Sequence, residues 1–383
     1  SLDETSLCVQ KQRFSFYQQC KTGNYRGMKK YTWRTHKIIK ETEDTITLYF
    51  DTEQQAFTYL PGQYLNIRLT VNGELLIRSY SFSSVPSDEF PAITIKRVTD
   101  GKMSNYILDN ADNIEAWEIE APFGSFVLEK PIAEQSQIVL LAGGSGISPL
   151  YAMLKSVENS SQIPLLVYSN KTPEETIFWN ELETMQVAQK LNICYSFTAP
   201  DFISTKLNHV AGRFNLLVLR SVIKRLVGEV AEAHYYICGP NGLMDLYRDA
   251  LTGLNIPEDH IHLEYFDPVT VDAGDLETDG TVKDVIVNYY EDYYENEEKQ
   301  TYECTSLIEV QPKQSLLDAM KEHHIKVASS CKNGTCGACW AVKTGGEVRM
   351  LHNGALTEQD MAEGIILLCQ SYPMNADVCV TVQ

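Results

Sequence analysis

The apolar positions along this chain change rhythm twice. Over residues 30–128 they come in short runs that read as strands, at 31–33, 45–50 and 64–69, each closed by turn residues. Turn pairs such as Pro61-Gly62 and Asn72-Gly73 recur at short intervals, which predicts an antiparallel barrel or sandwich. At Ile138 the pattern becomes continuous. The run Ile138-Val-Leu-Leu141 leads through Ala142-Gly-Gly-Ser-Gly-Ile-Ser-Pro149 into a helical stretch at 150–157. Residues 165–168 read as a second buried strand and 174–185 as a second helix. The strand 235–238 precedes Gly239-Pro-Asn-Gly242 and a further helix. Strands alternating with helices predict a parallel sheet covered on both faces. Residues 268–280 are acidic and turn-rich, a natural linker. Residues 285–289 and 305–310 then read as a hairpin with an acidic tip, and Ser315 with Asp318 as a capping box opening a helix to His324. No internal repeat or low-complexity segment is present.

The expected division is an N-terminal extension at 1–29, a barrel at 30–130, an α/β domain at 131–267, a linker at 268–281 and a C-terminal domain at 282–383. A length of 383 residues suits two or three domains. Apolar content of 44% and charged content of 22% are those of an ordinary globular protein. No apolar run approaches the roughly 20 residues that span a bilayer, and the N-terminus shows no signal-peptide core. Ten cysteines then suit a reducing compartment, so a cytoplasmic location is expected. The net charge of −19 argues against nucleic acid and anionic lipid as partners. The acid is concentrated. Residues 272–309 hold 12 Asp and Glu against only Lys283 and Lys299. That stretch reads as a solvated linker and hairpin tip, or as a docking face for a basic redox partner. The extension carries Cys8 and Cys20 without a motif around them.

The most informative cysteines lie further on. Cys331, Cys336 and Cys339 form C-x4-C-x2-C, and Cys369 follows thirty residues later. This is the plant-type pattern in which four thiolates hold a 2Fe–2S cluster, two on each iron. Gly334 and Gly337 let the loop wrap closely, and its amides can donate to sulfur. A zinc site would pair C-x2-C with a similar pair or with histidines, and none is present. Disulfides fit poorly with a large core and no signal peptide.

Two further segments carry cofactor chemistry. In Arg78-Ser79-Tyr80-Ser81, the guanidinium suits a phosphate, the Tyr80 ring an isoalloxazine, and the Ser81 hydroxyl its polar edge. Gly101-Lys102-Met103-Ser104 offers amides and a hydroxyl for the phosphate, as a backbone nest would. Alone, the first run also fits a surface strand with a buried tyrosine. The glycine turn at 143–149 joins a buried strand to a helix, where free amides and the helix dipole suit a pyrophosphate. Its spacing is not G-x-G-x-x-G, and it also fits a tight turn without ligand. Cys238-Gly239-Pro240 ends another strand of the same sheet, on the side where such sheets bind ligands. Cys238 reads either as a buried strand-end cysteine or as a border of the nicotinamide.

Taken in order and spacing, with Met244, these motifs resemble the ferredoxin–NADP reductase superfamily. The cysteine pattern narrows the likeness to reductase components of bacterial oxygenase systems, the phenylacetyl-CoA monooxygenase reductases among them. The resemblance covers residues 31–383. It also rests on Pro61-Gly62-Gln63-Tyr64, Pro122-Phe-Gly-Ser-Phe126, Tyr168-Ser-Asn-Lys-Thr172 with Phe178, Gly212-Arg213 and His262-Leu-Glu-Tyr-Phe266. It implies a multidomain chain: an antiparallel flavin β-barrel, an α/β parallel-sheet nucleotide domain and an α+β ferredoxin domain of the β-grasp type. By the same resemblance Arg78, Ser79, Tyr80 and Ser81 match the flavin motif, and 101–104 its phosphate segment. Gly144, Ser145, Gly146, Cys238, Gly239 and Pro240 match positions lining the nicotinamide nucleotide. Glu264 and Phe266 match a segment beside the flavin ring, which makes Ser81, Cys238 and Glu264 the implied reacting-centre residues. Lys171 stands where relatives often have Arg, and Thr198-Ala199-Pro200 where NADPH enzymes often have Ser-Arg. A 2′-phosphate would then rely on Arg213, Lys206 or Lys171.

The implied function is electron splitting. NADH or NADPH would reduce a flavin, FAD by the resemblance with FMN gripped alike, and the 2Fe–2S cluster would pass single electrons to a partner oxygenase. Competing readings are a reductase for a Rieske oxygenase, a desaturase or a hybrid-cluster protein, and a non-enzymatic iron–sulfur redox sensor. Intact flavin and nucleotide motifs argue against the sensor.

Overall fold

The computed structural model describes residues 30–158, 160, 162–199, 209–266, 276–295, 298–329, 331–375 and 378–382. The extension at 1–29 with Cys8 and Cys20, the first part of the expected linker, Pro200 and Lys206 lie outside the described residues. The chain forms two compact units, one built from residues 29–267 and the other holding residues 268–383.

The first unit opens with a curled sheet. It contains β1 (Lys30–Thr42), β2 (Thr45–Asp51), β3 (Tyr64–Val71), β4 (Glu74–Ser81), β5 (Ala92–Lys96) and β6 (Trp117–Phe123), with α1 (Lys102–Asn110) between the last two. The order is β4-β3-β6-β1-β2-β5, antiparallel throughout. A bridge from Phe82 to Ile93 and the Ser83 amide on the Ala92 carbonyl at 2.9 Å bring the two edges together. The β3–β4 hairpin turns on Asn72-Gly73, both at positive φ, as a two-residue hairpin requires. Trp33, Phe50, Phe82 and Trp117 fill the interior, and α1 adds Met103 and Ile107.

The same unit continues with α2 (Lys130–Gln135), β7 (Ile138–Gly143), α3 (Ile147–Ser156), β8 (Leu165–Asn170), α4 (Trp179–Val187), β9 (Asn192–Phe197), β10 (His209–Ala211), α5 (Leu216–Leu226), β11 (His234–Cys238), α6 (Asn241–Thr252) and β12 (Ile261–Glu264). The six strands are parallel in the order β10-β9-β8-β7-β11-β12. The continuous apolar run of β7 is explained by two-sided burial. Leu140 and Ala142 enter one core, Val139 and Leu141 the other. The chain runs outward from β7 to β10, then returns to β11, so the switch point lies between β7 and β11.

In the parallel-sheet part, two helix starts differ from the sequence expectation. Helix α3 begins at Ile147 rather than 150, since Pro149 fits a first turn where its missing N–H costs nothing. Helix α4 begins at Trp179 rather than 174. Phe178 takes a left-handed conformation with φ 61° and stacks on Tyr151 at 4.1 Å, which stops the helix there.

The second unit contains β13 (Lys283–Glu295), β14 (Glu298–Val310), α7 (Leu316–Glu322), β15 (Trp340–Gly345), β16 (Val348–Met350), α8 (Glu358–Ala362), β17 (Ile365–Leu367), β18 (Ser371–Pro373) and β19 (Val378–Val382). The main sheet has the order β14-β13-β19-β15-β17, with only β13 and β19 parallel. β16 and β18 form a separate pair. A helix packed on a mixed sheet is the expected β-grasp build. The Ser315 hydroxyl accepts the Asp318 amide at 3.1 Å and caps α7, which ends at Glu322, short of the expected His324. The hairpin strands are longer than the sequence suggested, 13 residues each, while β19 covers only Val285–Asn288 of β13. No helix among the described residues is long and apolar enough to cross a membrane.

Candidate functional site

The two glycine turns predicted to meet a nucleotide first meet each other. β7 and β11 are adjacent, and Ala142 pairs with Cys238 in register. A methyl group on Gly146 would sit 2.2 Å from the Cys238 carbonyl oxygen. On Gly143 it would sit 2.5 Å from Leu243, and on Gly239 3.0 Å from the Gly143 nitrogen. These three glycines therefore serve close packing between turns. Gly144 differs. It has φ 50° and nothing within 4 Å of an added methyl, so it faces open space. Its carbonyl accepts the Tyr168 hydroxyl at 3.0 Å, and the Tyr247 hydroxyl reaches the Ala142 carbonyl at 3.1 Å. Ser148 holds the Ser145 carbonyl at 3.0 Å. Tyr168 belongs to one of the sequence motifs, but Tyr247 carried no local signal of this role.

The flavin segment lies on β4. The register sets Ser79 opposite Asn66, and the Ser79 hydroxyl donates to the Asn66 side chain at 2.7 Å. The Ser79 hydroxyl proton is thus engaged within the sheet. Arg78 is exposed and donates to its neighbour's carbonyl, Ile77, at 2.7 Å. Tyr80 is half-buried against the barrel core, and burial keeps its phenol protonated. Ser81 is buried at the strand end. Neither the Tyr80 nor the Ser81 hydroxyl finds a hydrogen-bond partner among the described residues.

The 101–104 segment is not a nest but the entry to α1, with Gly101 at the N-cap. Met103 is turned into the barrel core, and the Ser104 hydroxyl takes the Val98 amide at 3.2 Å. Lys102 pairs with Glu74 at 2.6 Å. What remains for a phosphate is the row of first-turn amides.

The neighbouring loop is pinned by Gln63. It accepts the Leu60 amide at 2.9 Å and donates to the Gly124 carbonyl at 3.1 Å. Gly62, at φ 100°, has no room for a side chain between Phe126 and Met153 of α3. Lys155 of α3 pairs with Asp88 on the barrel side, and β5 runs against the 144–146 turn. The barrel and the nucleotide turn therefore share one seam.

Across that sheet Cys238 faces Glu264 in register. Cys238 is fully buried, and burial, with the Glu264 charge second, pushes its thiol well above the ordinary range. Burial also pushes the Glu264 carboxyl up to about 8. It has no hydrogen-bond partner among the described residues. Phe266, two residues on, is largely exposed.

The four C-terminal cysteines come together as two pairs. The Cys331 and Cys336 side chains interact, as do those of Cys339 and Cys369, and these contacts hold Cys331 and Cys369 below the ordinary thiol range. Backbone amides already aim at the sulfurs: Asn333 and Cys336 at Cys331, 3.5 and 3.3 Å, and Ala338 at Cys336, 3.4 Å. Gly334, at φ 82°, has no space for a side chain beneath the His352 carbonyl. Among the described residues no three His, Cys, Asp or Glu side chains gather around one metal position. Thiols arranged two and two fit two irons rather than one tetrahedral zinc.

A barrel and a nucleotide domain that share a seam, followed in the chain by a two-iron site, define a flavin-dependent oxidoreductase that takes electrons from a nicotinamide nucleotide. Family models agree segment by segment. The oxidoreductase FAD-binding domain matches residues 33–128, the oxidoreductase NAD-binding domain 140–249 and the 2Fe-2S iron-sulfur cluster binding domain 299–374. The chain is 33% identical over 366 residues to the ferredoxin reductase component of 3-ketosteroid-9-alpha-monooxygenase from Mycolicibacterium smegmatis, covering 90% of this chain and 95% of that one. It is 28% identical over 354 residues to a component of the 1,2-phenylacetyl-CoA epoxidase of Escherichia coli, covering 90% and 95%. Its fold resembles phthalate dioxygenase reductase, with TM-score 0.53 and 22% identity over 92% of this chain and 98% of that one. The chain belongs to the family of flavin-dependent ferredoxin reductases that includes these oxygenase components. Its cofactors are FAD, a 2Fe–2S cluster and NAD(P)H.

Proposed function

We propose that this protein is the reductase component of an oxygenase system, passing electrons from NAD(P)H to a partner oxygenase or a similar one-electron protein acceptor. The observation that supports this best is the union of the shared flavin–nucleotide seam and the two thiol pairs in one chain. FAD, when bound, takes two electrons from the nicotinamide and releases them singly, and a 2Fe–2S cluster carries one at a time.

The residues divide the remaining work. Arg78 and the first-turn amides of α1 hold the flavin phosphates. Tyr80 lies along the ring, and the unpartnered Ser81 hydroxyl meets its polar edge. Gly144 and the open α3 turn receive the nucleotide pyrophosphate, while neutral Cys238 walls the nicotinamide. Glu264, with a carboxyl pushed up to about 8, holds a proton at neutral pH and can release it beside the flavin. Cys331, Cys336, Cys339 and Cys369 hold the cluster. A reducing cytoplasm keeps those thiols available.

The test is spectroscopic. The purified protein should show flavin and iron–sulfur absorbance, and both should bleach when NADH or NADPH is added without oxygen. A protein lacking either chromophore, or one whose colour ignores both nucleotides, would overturn the reading.

A further inference from the structure

Three buried polar atoms flank the cysteine pairs without a hydrogen-bond partner: Asn333 Nδ2, Gln370 Oε1 and Ser371 Oγ. Most buried polar groups are satisfied, so orphans concentrated at one place call for a missing partner. Asn333 is the most telling. It lies inside the ligand loop, two residues after Cys331, and is only 4% exposed. Its carbonyl end is occupied, since the Thr335 hydroxyl donates to Oδ1 at 2.8 Å. Its backbone amide points at the Cys331 sulfur. Gln370 closes the other side by donating Nε2 to the Lys332 carbonyl at 3.1 Å. The Asn333 NH2 is thus a fixed, dry donor in a loop whose Asn333, Cys336 and Ala338 amides point at sulfur.

We propose that the Asn333 side-chain amide donates a hydrogen bond to a sulfur of the iron–sulfur cluster and thereby raises its reduction potential. This rests on the reading of the four cysteines as cluster ligands. A donated N–H favours the reduced, more negatively charged state of the cluster over the oxidised one. The backbone amides do the same from fixed positions, whereas Asn333 is a side chain and can be varied alone. It acts on the cluster's electronics and is a positioning residue, not a ligand.

The experiment is a redox titration of the holoprotein, followed by the electron paramagnetic resonance signal of the reduced cluster. Asn333→Ala removes the donor and Asn333→Ser keeps a shorter one. With iron content and flavin absorbance unchanged, the midpoint potentials should fall in the order parent, Ser variant, Ala variant. An Ala variant with full iron and the parent's potential overturns the proposal. If the Ala variant holds no iron, the Ser variant decides: a lowered potential supports the proposal and an unchanged one overturns it. A parent protein with no such signal would instead overturn the cluster reading itself.

Discussion

At Glu264 a carboxyl faces a buried thiol across β11 and β12, and burial moves its titration from the ordinary 4.5 to about 8. Below about pH 4.5 the group is protonated whether the chain is folded or not. As pH rises from there toward 8 the unfolded chain ionises and the folded one does not, so stability is lost across that window. Glu264→Gln stays neutral and should escape this loss. Its unfolding free energy from urea titration should match the parent's near pH 4.5 and exceed it increasingly up to pH 8, by a few kcal/mol at most, at about 1.4 kcal/mol per pKa unit. A gap that does not change with pH would contradict the raised titration of that half-buried carboxyl. The sequence motif pointed to Glu264 but not to its protonation. Nor could it assign Ser79, because that hydroxyl's partner, Asn66, is set by the β3–β4 register. Likewise the face of α1 that turns Met103 into the barrel core is not legible in residues 101–104 alone.

Among the elements, the turns after β7 and β11 were legible because a buried strand, glycines and a helix follow one another in sequence. Which glycine does what was not legible, since it depends on how closely the turns approach. The contrast is testable. Gly146→Ala forces a methyl to 2.2 Å from the Cys238 carbonyl and should lose about 2–3 kcal/mol in urea unfolding, together with nucleotide affinity. Gly144→Ala meets no atom and carries only the left-handed backbone penalty, about 1 kcal/mol. Equal losses would refute the division of roles. The start of α4 is not legible for a related reason. Local propensity favours helix from 174, but the packing of Phe178 on Tyr151 fixes a conformation no helix continues through. The full length of the β13–β14 hairpin is not legible because its outer part mixes tyrosines with acids and shows no apolar alternation, although it pairs throughout.

For the molecule as a whole, the net charge of −19 should govern encounters with proteins more than with small oxidants. Reduction of a basic acceptor such as cytochrome c should slow several-fold as salt rises from about 20 mM to 0.3 M, where the screening length falls severalfold. Ferricyanide reduction should not slow in parallel. A protein-acceptor rate indifferent to salt would remove charge steering from the account. The central claim is that the flavin–nucleotide unit feeds the thiol-held centre, which is the way out. It is tested most directly in Cys336→Ser, assayed without oxygen for flavin bleaching by NAD(P)H and then for cytochrome c reduction. The account predicts that flavin bleaching persists and cytochrome c reduction drops at least tenfold. Cytochrome c reduction at the parent's rate would contradict it.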